Sequence, residues 1–532
     1  MFDTPGIYIR EIPSGSRPIS GVATSNCGFV GLFRRGPVNR AVRVTSFGEF
    51  ERVFGGLMAE SEASYAVRAF FLNGGSIAFI VRVTAGAAAA AATVVVDGNL
   101  TVMASSVGTW GNAVRVGIAH SAVGTTFTML VREYQGTQVI REEAFLDVSI
   151  TPGNARFFVD VIGRDSEMVV VAQTAAALPA ATVLTAGAAA VLDDLLEAPL
   201  TDLDPLTLGA DGTLPALATP AANGAWLAVA QAAIVGSETA VTGINAFNAI
   251  VPELISILCL PDVATSTLLS DIGSVMQTIF QDAYAYCQRN NIFLLVDVPP
   301  ETDRTNIMAW FTALGAAAGP NSAMYYPRLV GGDPLNPLQQ RQMQTSGFAA
   351  GLYARTDATR GVWKAPAGIQ AAITGAAPID LMTDRQQGTL NPNGINAIRT
   401  FPIYNSVIWG ARTLDGADAR ASEWRYVNVR RLTMFIESSL QRGLQWVVFE
   451  ANDEPLWANV RLNVNSFMSQ LHKQGAFQGA SARDAFLVKC DSETTTQADI
   501  NLGILNVYVG FAPVRPAEFV VVRIQQRFAN VA

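Results

Sequence analysis

Apolar and polar positions follow two rhythms along this chain, and the places where one gives way to the other predict its elements. Near the N-terminus Ile7 and Ile9 alternate with Tyr8 and Arg10, a period of two that reads as a short strand. Pro5, Gly6, Pro13, Gly15 and Pro18 exclude a helix there, and no hairpin partner is near. Residues 41–45 predict a strand, and residues 62–72 a helix with Ala63, Ala66, Val67, Phe70 and Phe71 on one face. Asn73-Gly74-Gly75 stop that helix, and residues 77–83 read as a buried strand.

Composition then shifts to an Ala/Gly run at residues 85–92, and a second run lies at residues 175–190. Short alternating segments at 114–118, 127–133 and 157–161 lie between them, which predicts an inserted β-rich domain. From residue 248 strand and helix patterns alternate. Residues 254–260 and 292–298 read as strands around a helix carrying Leu268, Leu269, Ile272, Val275, Met276, Ile279 and Ala283. That order implies a parallel or mixed sheet covered on both faces. Further on come a helix at 424–440, a strand at 445–450, and a helix with Leu456, Val460, Phe467 and Leu471. Strands at 485–490 and 504–511 follow, and a strongly β-forming segment at 518–525 lies beyond Pro513 and Pro516. The expected fold class is α/β (α+β), multi-domain. Its parts are an N-terminal arm (1–20), an α/β core (21–85 plus 201–375), an inserted β-rich outer domain (86–200), a C-terminal α/β domain (376–512) and a C-terminal arm (513–532).

Length agrees, since 532 residues correspond to about three or four domains of ordinary size. The 36 Lys and Arg are outnumbered by 44 Asp and Glu, which argues against neutralising phosphate or a charged membrane surface. Charged residues make up 15% and apolar residues 50%, where about 25% charged is usual; such a chain should hide surface by assembling. Apolar strands at both ends would be an aggregation hazard if left unpaired, so they suggest strand donation to neighbouring subunits. The start of the chain lacks the layout of a signal peptide, and residues 212–237, uncharged but interrupted by Pro215 and Pro220, do not read as a membrane span.

Catalytic chemistry has little support. Cys27, Cys259, Cys287 and Cys490 are far apart, with no histidine cluster to complete a zinc site, and read as buried thiols. His120 and His472 lack a nucleophile motif and read as packing or surface residues. There is no P-loop and no dinucleotide fingerprint. The strongest enzyme candidate is Asp262 with Asp297, each just past a predicted strand end where open α/β sheets bind ligands. They could hold a metal for hydrolysis, but turn formation and helix capping explain them equally well. Arg425, Arg430 and Arg431 gather positive charge on one predicted helix, either as a solvated face or as a patch for an acidic partner.

Several stretches resemble the tail sheath proteins of contractile phages, R-type pyocins and extracellular injection particles. They begin with Thr4-Pro5-Gly6-Ile7-Tyr8-Ile9-Arg10-Glu11, Ser46-Phe47-Gly48-Glu49-Phe50 and Trp110-Gly111-Asn112. They continue with Trp409-Gly410-Ala411-Arg412-Thr413, Trp424 through Arg431, Phe449-Glu450-Ala451-Asn452-Asp453, and Ala512-Pro513-Val514-Arg515-Pro516-Ala517-Glu518-Phe519. Their order runs across nearly the whole chain, with 97–200 the least similar part. Both arms and the C-terminal domain share one chain, unlike the two-component sheath of a type VI system.

The resemblance implies a tail-sheath fold and a helical homopolymer of stacked rings around an inner tube, with baseplate and terminator or cap proteins as further partners. It implies no cofactor, nucleic acid or membrane insertion, and assembly in the bacterial cytoplasm. In that family neighbours' arms add strands to another subunit's C-terminal sheet, and a metastable extended state contracts to drive the tube through an envelope. The strand-exchange residues expected on that basis are Ile7, Tyr8, Ile9, Phe519, Val520, Val521 and Val522, with Arg425, Arg430 and Arg431 as contacts to the tube. The alternatives are the metal-assisted hydrolase and a static coat protein.

Overall fold

The computed structural model describes residues 17–84, 89–121, 125–184, 191–211, 229–264, 269–300 and 302–519. The first strand, β1 (Cys27–Gly31), is buried at every position. After it come β2 (Val42–Val44), α1 (Phe47–Phe54), α2 (Glu62–Leu72) and β3 (Ala78–Arg82). Ser46 and Ser61 start the two helices, each accepting a hydrogen bond from the backbone N–H three residues on. Those bonds satisfy donors that have no partner inside a helix.

The inserted module then begins. It comprises β4 (Ala89–Ala90), β5 (Thr93–Val96), β6 (Leu100–Ala104), β7 (Val114–His120), β8 (Thr126–Gln135), β9 (Gln138–Ser149), α3 (Phe158–Asp165), β10 (Val169–Gln173), α4 (Leu192–Glu197), β11 (Asp204–Pro205) and β12 (Ala210–Asp211). One sheet runs β10-β6-β5 and another β11-β7-β8-β9, enclosing a separate core with Trp110, Phe127, Met129, Phe158 and Ile162. β4 and β12 pair antiparallel and close the neck. Residues 201–211, which composition assigned to the core, therefore belong to the module. The expected strand at 157–161 is instead the start of α3; Phe158, Val161 and Ile162 are buried at helical spacing, and the apparent alternation was too short to separate the two periods.

The chain continues through β13 (Ile257–Cys259), α5 (Leu269–Asn290), β14 (Phe293–Val296), α6 (Ile307–Ala313), β15 (Ser322–Tyr326), β16 (Leu329–Gly332), β17 (Gln340–Met343), α7 (Ser346–Arg360), β18 (Ala377–Pro378), α8 (Asp384–Leu390), β19 (Asn396–Phe401) and β20 (Asn405–Ile408). The main sheet has the order β2-β3-β1-β13-β14-β15-β19-β20. Its six inner strands are parallel and the two outermost, β2 and β20, antiparallel to their neighbours. The hairpin β19–β20 carries this sheet beyond residue 375, where the sequence reading ended the core. β17, β16 and β18 form a small separate sheet.

Alternate strand positions face opposite sides. Val30, Leu294 and Val296 pack with Phe280 of α5 and Trp310 of α6; Phe29, Phe293 and Leu295 pack with Phe70 of α2 and Tyr353 of α7. α2 and α7 lie in close contact, because a Cβ on Gly347 would stand 2.3 Å from the Ala66 carbonyl oxygen and one on Gly351 2.6 Å from that of Phe70.

The C-terminal unit adds α9 (Val427–Gly443), α10 (Glu454–Lys473), β21 (Phe486–Lys489) and β22 (Tyr508–Phe511) around a core of its own. The strand expected at 445–450 is a single 3-10 turn, Gln445–Val447, after which Phe449 takes a positive φ of 70°, outside the β region. Among the described residues no helix is long and apolar enough to cross a membrane.

Candidate functional site

In the C-terminal unit β21 and β22 form a sheet of only two strands, with Phe486 opposite Phe511 and Lys489 opposite Tyr508. Phe486, Val488, Val509 and Phe511 turn toward a core that includes Leu456, Trp457, Val460 and Phe467. Leu487 and Tyr508 face outward, 63% and 60% exposed. Among the described residues only an isolated bridge from Phe477 to Pro513 adds to this pair. Two strands gain independent stability only when packed or extended, and here the helices supply the packing while the edges remain available for further strands.

Beyond β22 the chain is tied down step by step. The Ala512 N–H donates to the Ala485 carbonyl at 2.9 Å, and Asn428 Nδ2 donates to the Val514 carbonyl at 2.9 Å. At Glu518 the tether ends in a carboxylate with four donors. Arg412 donates from Nε to Oε1 and from Nη2 to Oε2, both at 2.8 Å. Asn391 Nδ2 donates to Oε1 at 2.8 Å and the Tyr426 hydroxyl to Oε2 at 3.2 Å. Burial raises the acid's pKa, but the bonds from Arg412 and Asn391 outweigh it and hold the carboxyl below its ordinary range. Arg412 is only 1% exposed and also donates to the Asn391 carbonyl and Asp418, at 2.9 Å each. A groove of about 820 Å³ runs alongside, lined in part by Trp363, Arg399, Trp409, Pro516 and Phe519.

Comparison with known proteins gives this geometry its family. Residues 420–527 match the phage tail sheath C-terminal domain, the region that contains the two-stranded sheet and most of its helical support. The C-terminal region carries that domain, and the chain is similar to contractile tail sheath proteins. The chain is 27% identical over 183 residues to a prophage major tail sheath protein of Pseudomonas aeruginosa, covering 34% of this chain and 44% of that one. It is 25% identical over 238 residues to the tail sheath protein of Vibrio phage KVP40, covering 42% and 34%. The matched stretches thus span less than half the length of these relatives. Among solved structures, the contracted sheath of the PVC extracellular contractile injection system shares the fold, with a TM-score of 0.56, 22% identity, and 99% and 98% of the two chains covered.

Within this sheath fold the expected exchange residues are reached only at their edge. Phe519, 74% exposed, is the last described residue. Ile7, Tyr8, Ile9, Val520, Val521 and Val522 lie outside the described residues. Of the three arginines expected at the tube, Arg431 is the one the structure turns inward. Arg431 is buried, donating to both oxygens of Asp357 at 3.0 and 2.7 Å and to the Thr24 carbonyl at 2.7 Å. It lies over the Tyr353 ring and leaves no charge for a tube. Arg430 stacks on Trp424 and donates to Asn321 at 2.6 Å, and Arg425 pairs with Asp418 at 3.3 Å. The periodicity placed all three on one helix but could not show that they point to separate partners.

Asp262 and Asp297 also have structural partners. Asp262, past β13, accepts from the Ala63 N–H in the first turn of α2 at 2.9 Å and from Leu32 N–H at 2.7 Å. Asp297, past the neighbouring β14, accepts from the Thr345 and Ser346 N–H groups at the start of α7, at 3.0 and 2.9 Å. Each buried carboxylate pins one of the two crossing helices by its positive end; burial pushes Asp262 up to about 7 and Asp297 to about 6 against these bonds. His120 and His472 bond to the Pro179 and Gly479 carbonyls, and all four cysteines are free and buried.

Sequence reasoning missed two ionic joints. One is Arg412 with Glu518. The other is Glu133 on β8, wholly buried, with Arg35 of the core at 2.6 Å and Arg34 and Arg141 both at 3.8 Å. Each carried a signal, charge inside an otherwise apolar run, as with Arg132 and Glu133 in Met129 through Tyr134; a buried charge requires a partner.

Proposed function

We propose that this chain is the repeating subunit of a contractile sheath, polymerising as stacked rings around an inner tube and contracting from a metastable extended state to drive that tube through a cell envelope. The observation that carries the reading is the β21–β22 pair, to which no further strand is added among the described residues, in a chain whose two terminal segments read as strands with no hairpin partner nearby in sequence. Neighbours' arms complete the sheet through main-chain hydrogen bonds, with Ile7, Tyr8 and Ile9 on one side and the strand from Phe519 to Val522 on the other. The named family members and the contracted injection-system structure of the same fold support the same reading.

No nucleotide is needed. Contraction releases energy stored when the baseplate and tube template the extended lattice, and the change passes ring to ring as each subunit switches between two packings. Assembly takes place in the bacterial cytoplasm, with a terminator or cap closing the far end. The subunit itself catalyses no reaction in this scheme.

Electron microscopy of the purified protein with its particle's inner tube, before and after mild denaturant, tests the proposal. Hollow tubes of two diameters and helical spacings are expected. A single lattice under both conditions would return the chain to the class of static coats. Deleting residues 1–12 should leave a folded subunit that forms no tubes, and an unchanged tube yield would refute strand exchange.

A further inference from the structure

We infer that Arg412 and Glu518 form the anchor that aims the C-terminal arm, which makes them positioning residues for strand donation; this inference rests on the strand-exchange reading above. Glu518 receives four hydrogen bonds from three side chains on three different segments of the body. Arg412 is fixed in turn from behind by the Asn391 and Gly416 carbonyls and Asp418. A two-point contact between guanidinium and carboxylate fixes orientation as well as position. The tether upstream has little slack, since Ala512 and Val514 are hydrogen bonded to the body and Pro513 and Pro516 each have a locked φ. Glu518 is therefore the last tether to the body before the strand segment that begins at Phe519.

Register explains why a fixed origin matters. Successive residues of a strand face opposite sides, so a slip of one position exchanges Phe519 and Val521 for Val520 and Val522 on the buried face. An origin that wanders also lowers the effective concentration of the arm at its acceptor edge. The anchor is not needed to close the subunit's cores, as none of the apolar clusters includes residues 513–519. That separates aiming from folding.

The test uses the full-length protein and reads the critical concentration for tube formation beside the melting temperature of the unassembled subunit. Glu518→Ala and Arg412→Ala should each raise the critical concentration at least tenfold. Their combination should cost no more than either alone, because the pair acts as one unit. Melting should stay within about 1 °C of the parent for Glu518→Ala, the shift that a loss of about 1 kcal/mol would produce in a chain of this length, because Arg412 keeps Asp418 and the Asn391 and Gly416 carbonyls as partners. If that variant melts lower, Glu518→Gln decides, since it keeps the shape and the acceptor for Asn391 while removing the charge; tubes at the parent's critical concentration would overturn the anchor. A chain ending at Glu518 keeps the anchor and lacks the arm. If it assembles normally, strand exchange itself fails; if it makes no tubes while Glu518→Ala assembles like the parent, the anchor alone fails.

Discussion

Removing the carboxylate of Asp357 should be among the most damaging single changes to the C-terminal half of the molecule. Arg431 on α9 and Asp357 on α7 are both nearly inaccessible. Burial acts to lower the guanidinium's pKa, but Asp357 outweighs it and the arginine stays charged. Asp357→Ala deletes two charge-assisted bonds, each worth about 1.5–3 kcal/mol, and leaves Arg431 with the Thr24 carbonyl and the Tyr353 ring. The expected loss is about 3–5 kcal/mol, the usual consequence of an uncompensated buried charge. Replacing the pair together, Arg431→Met with Asp357→Leu, should recover most of it, because apolar side chains of similar volume carry no desolvation cost. A chain with several separate cores will not unfold in one step, so the assay is hydrogen exchange in urea, read on amides of residues 346–360 and 427–443. The reasoning is refuted if Asp357→Ala costs under about 1 kcal/mol, or if the double variant loses the sum of the two single losses. Either result would mean that the two buried charges do not stabilise the packing of α7 against α9 as a pair.

Other consequences can be checked separately. Glu133→Ala leaves Arg35 buried without its closest partner, so the inserted module should loosen from the core at a local cost of about 3 kcal/mol; small-angle scattering should show a larger radius of gyration, with exchange protection inside the module unchanged. Phe449 is fully exposed with a left-handed backbone, so Phe449→Gly should stabilise the subunit by up to about 1 kcal/mol yet raise the critical concentration for tubes if the ring meets a neighbour. Asp262 and Asp297 titrate higher in the folded state, near 7 and 6, than the usual value of about 3.9. The native state therefore binds more protons between these values. Their contribution to stability is fully present below about pH 4 and lost as pH rises through 6 to 7. Asp297→Asn should flatten the fall in the core's urea midpoint between pH 5 and 7, and an unchanged slope would contradict the assignment.

Legibility in the sequence followed one-sided burial. α2, with a capped start and a Gly-rich stop, appears at the residues its periodicity predicted, and α10 carries the apolar stripe read for it. α7 was missed because its first nine residues are all buried; a helix packed on every side at its start, with glycines where another helix crosses, has no polar stripe. β1, Cys-Gly-Phe-Val-Gly, is buried throughout and bounded by glycine, so it lacks alternation too. The candidate site divides along the same line. Terminal strand character shows in composition, whereas the contact between Arg412 and Glu518 joins positions 106 residues apart, which no local pattern contains.

The neck at Ala89–Ala90 and Ala210–Asp211 has a consequence for what the subunit tolerates. Chain enters and leaves the module through adjacent antiparallel strands, whose facing Cα atoms lie about 5 Å apart. Apart from the joint between Arg35 and Glu133, the parallel sheet registers only that short gap between the two ends, whatever polypeptide bridges it, and the entropy of bridging grows slowly with length. A foreign domain with similarly spaced termini could be spliced there without rerouting a single core strand. In a helical polymer it would then be presented once per subunit, which makes the neck a natural grafting point for a regularly spaced display lattice.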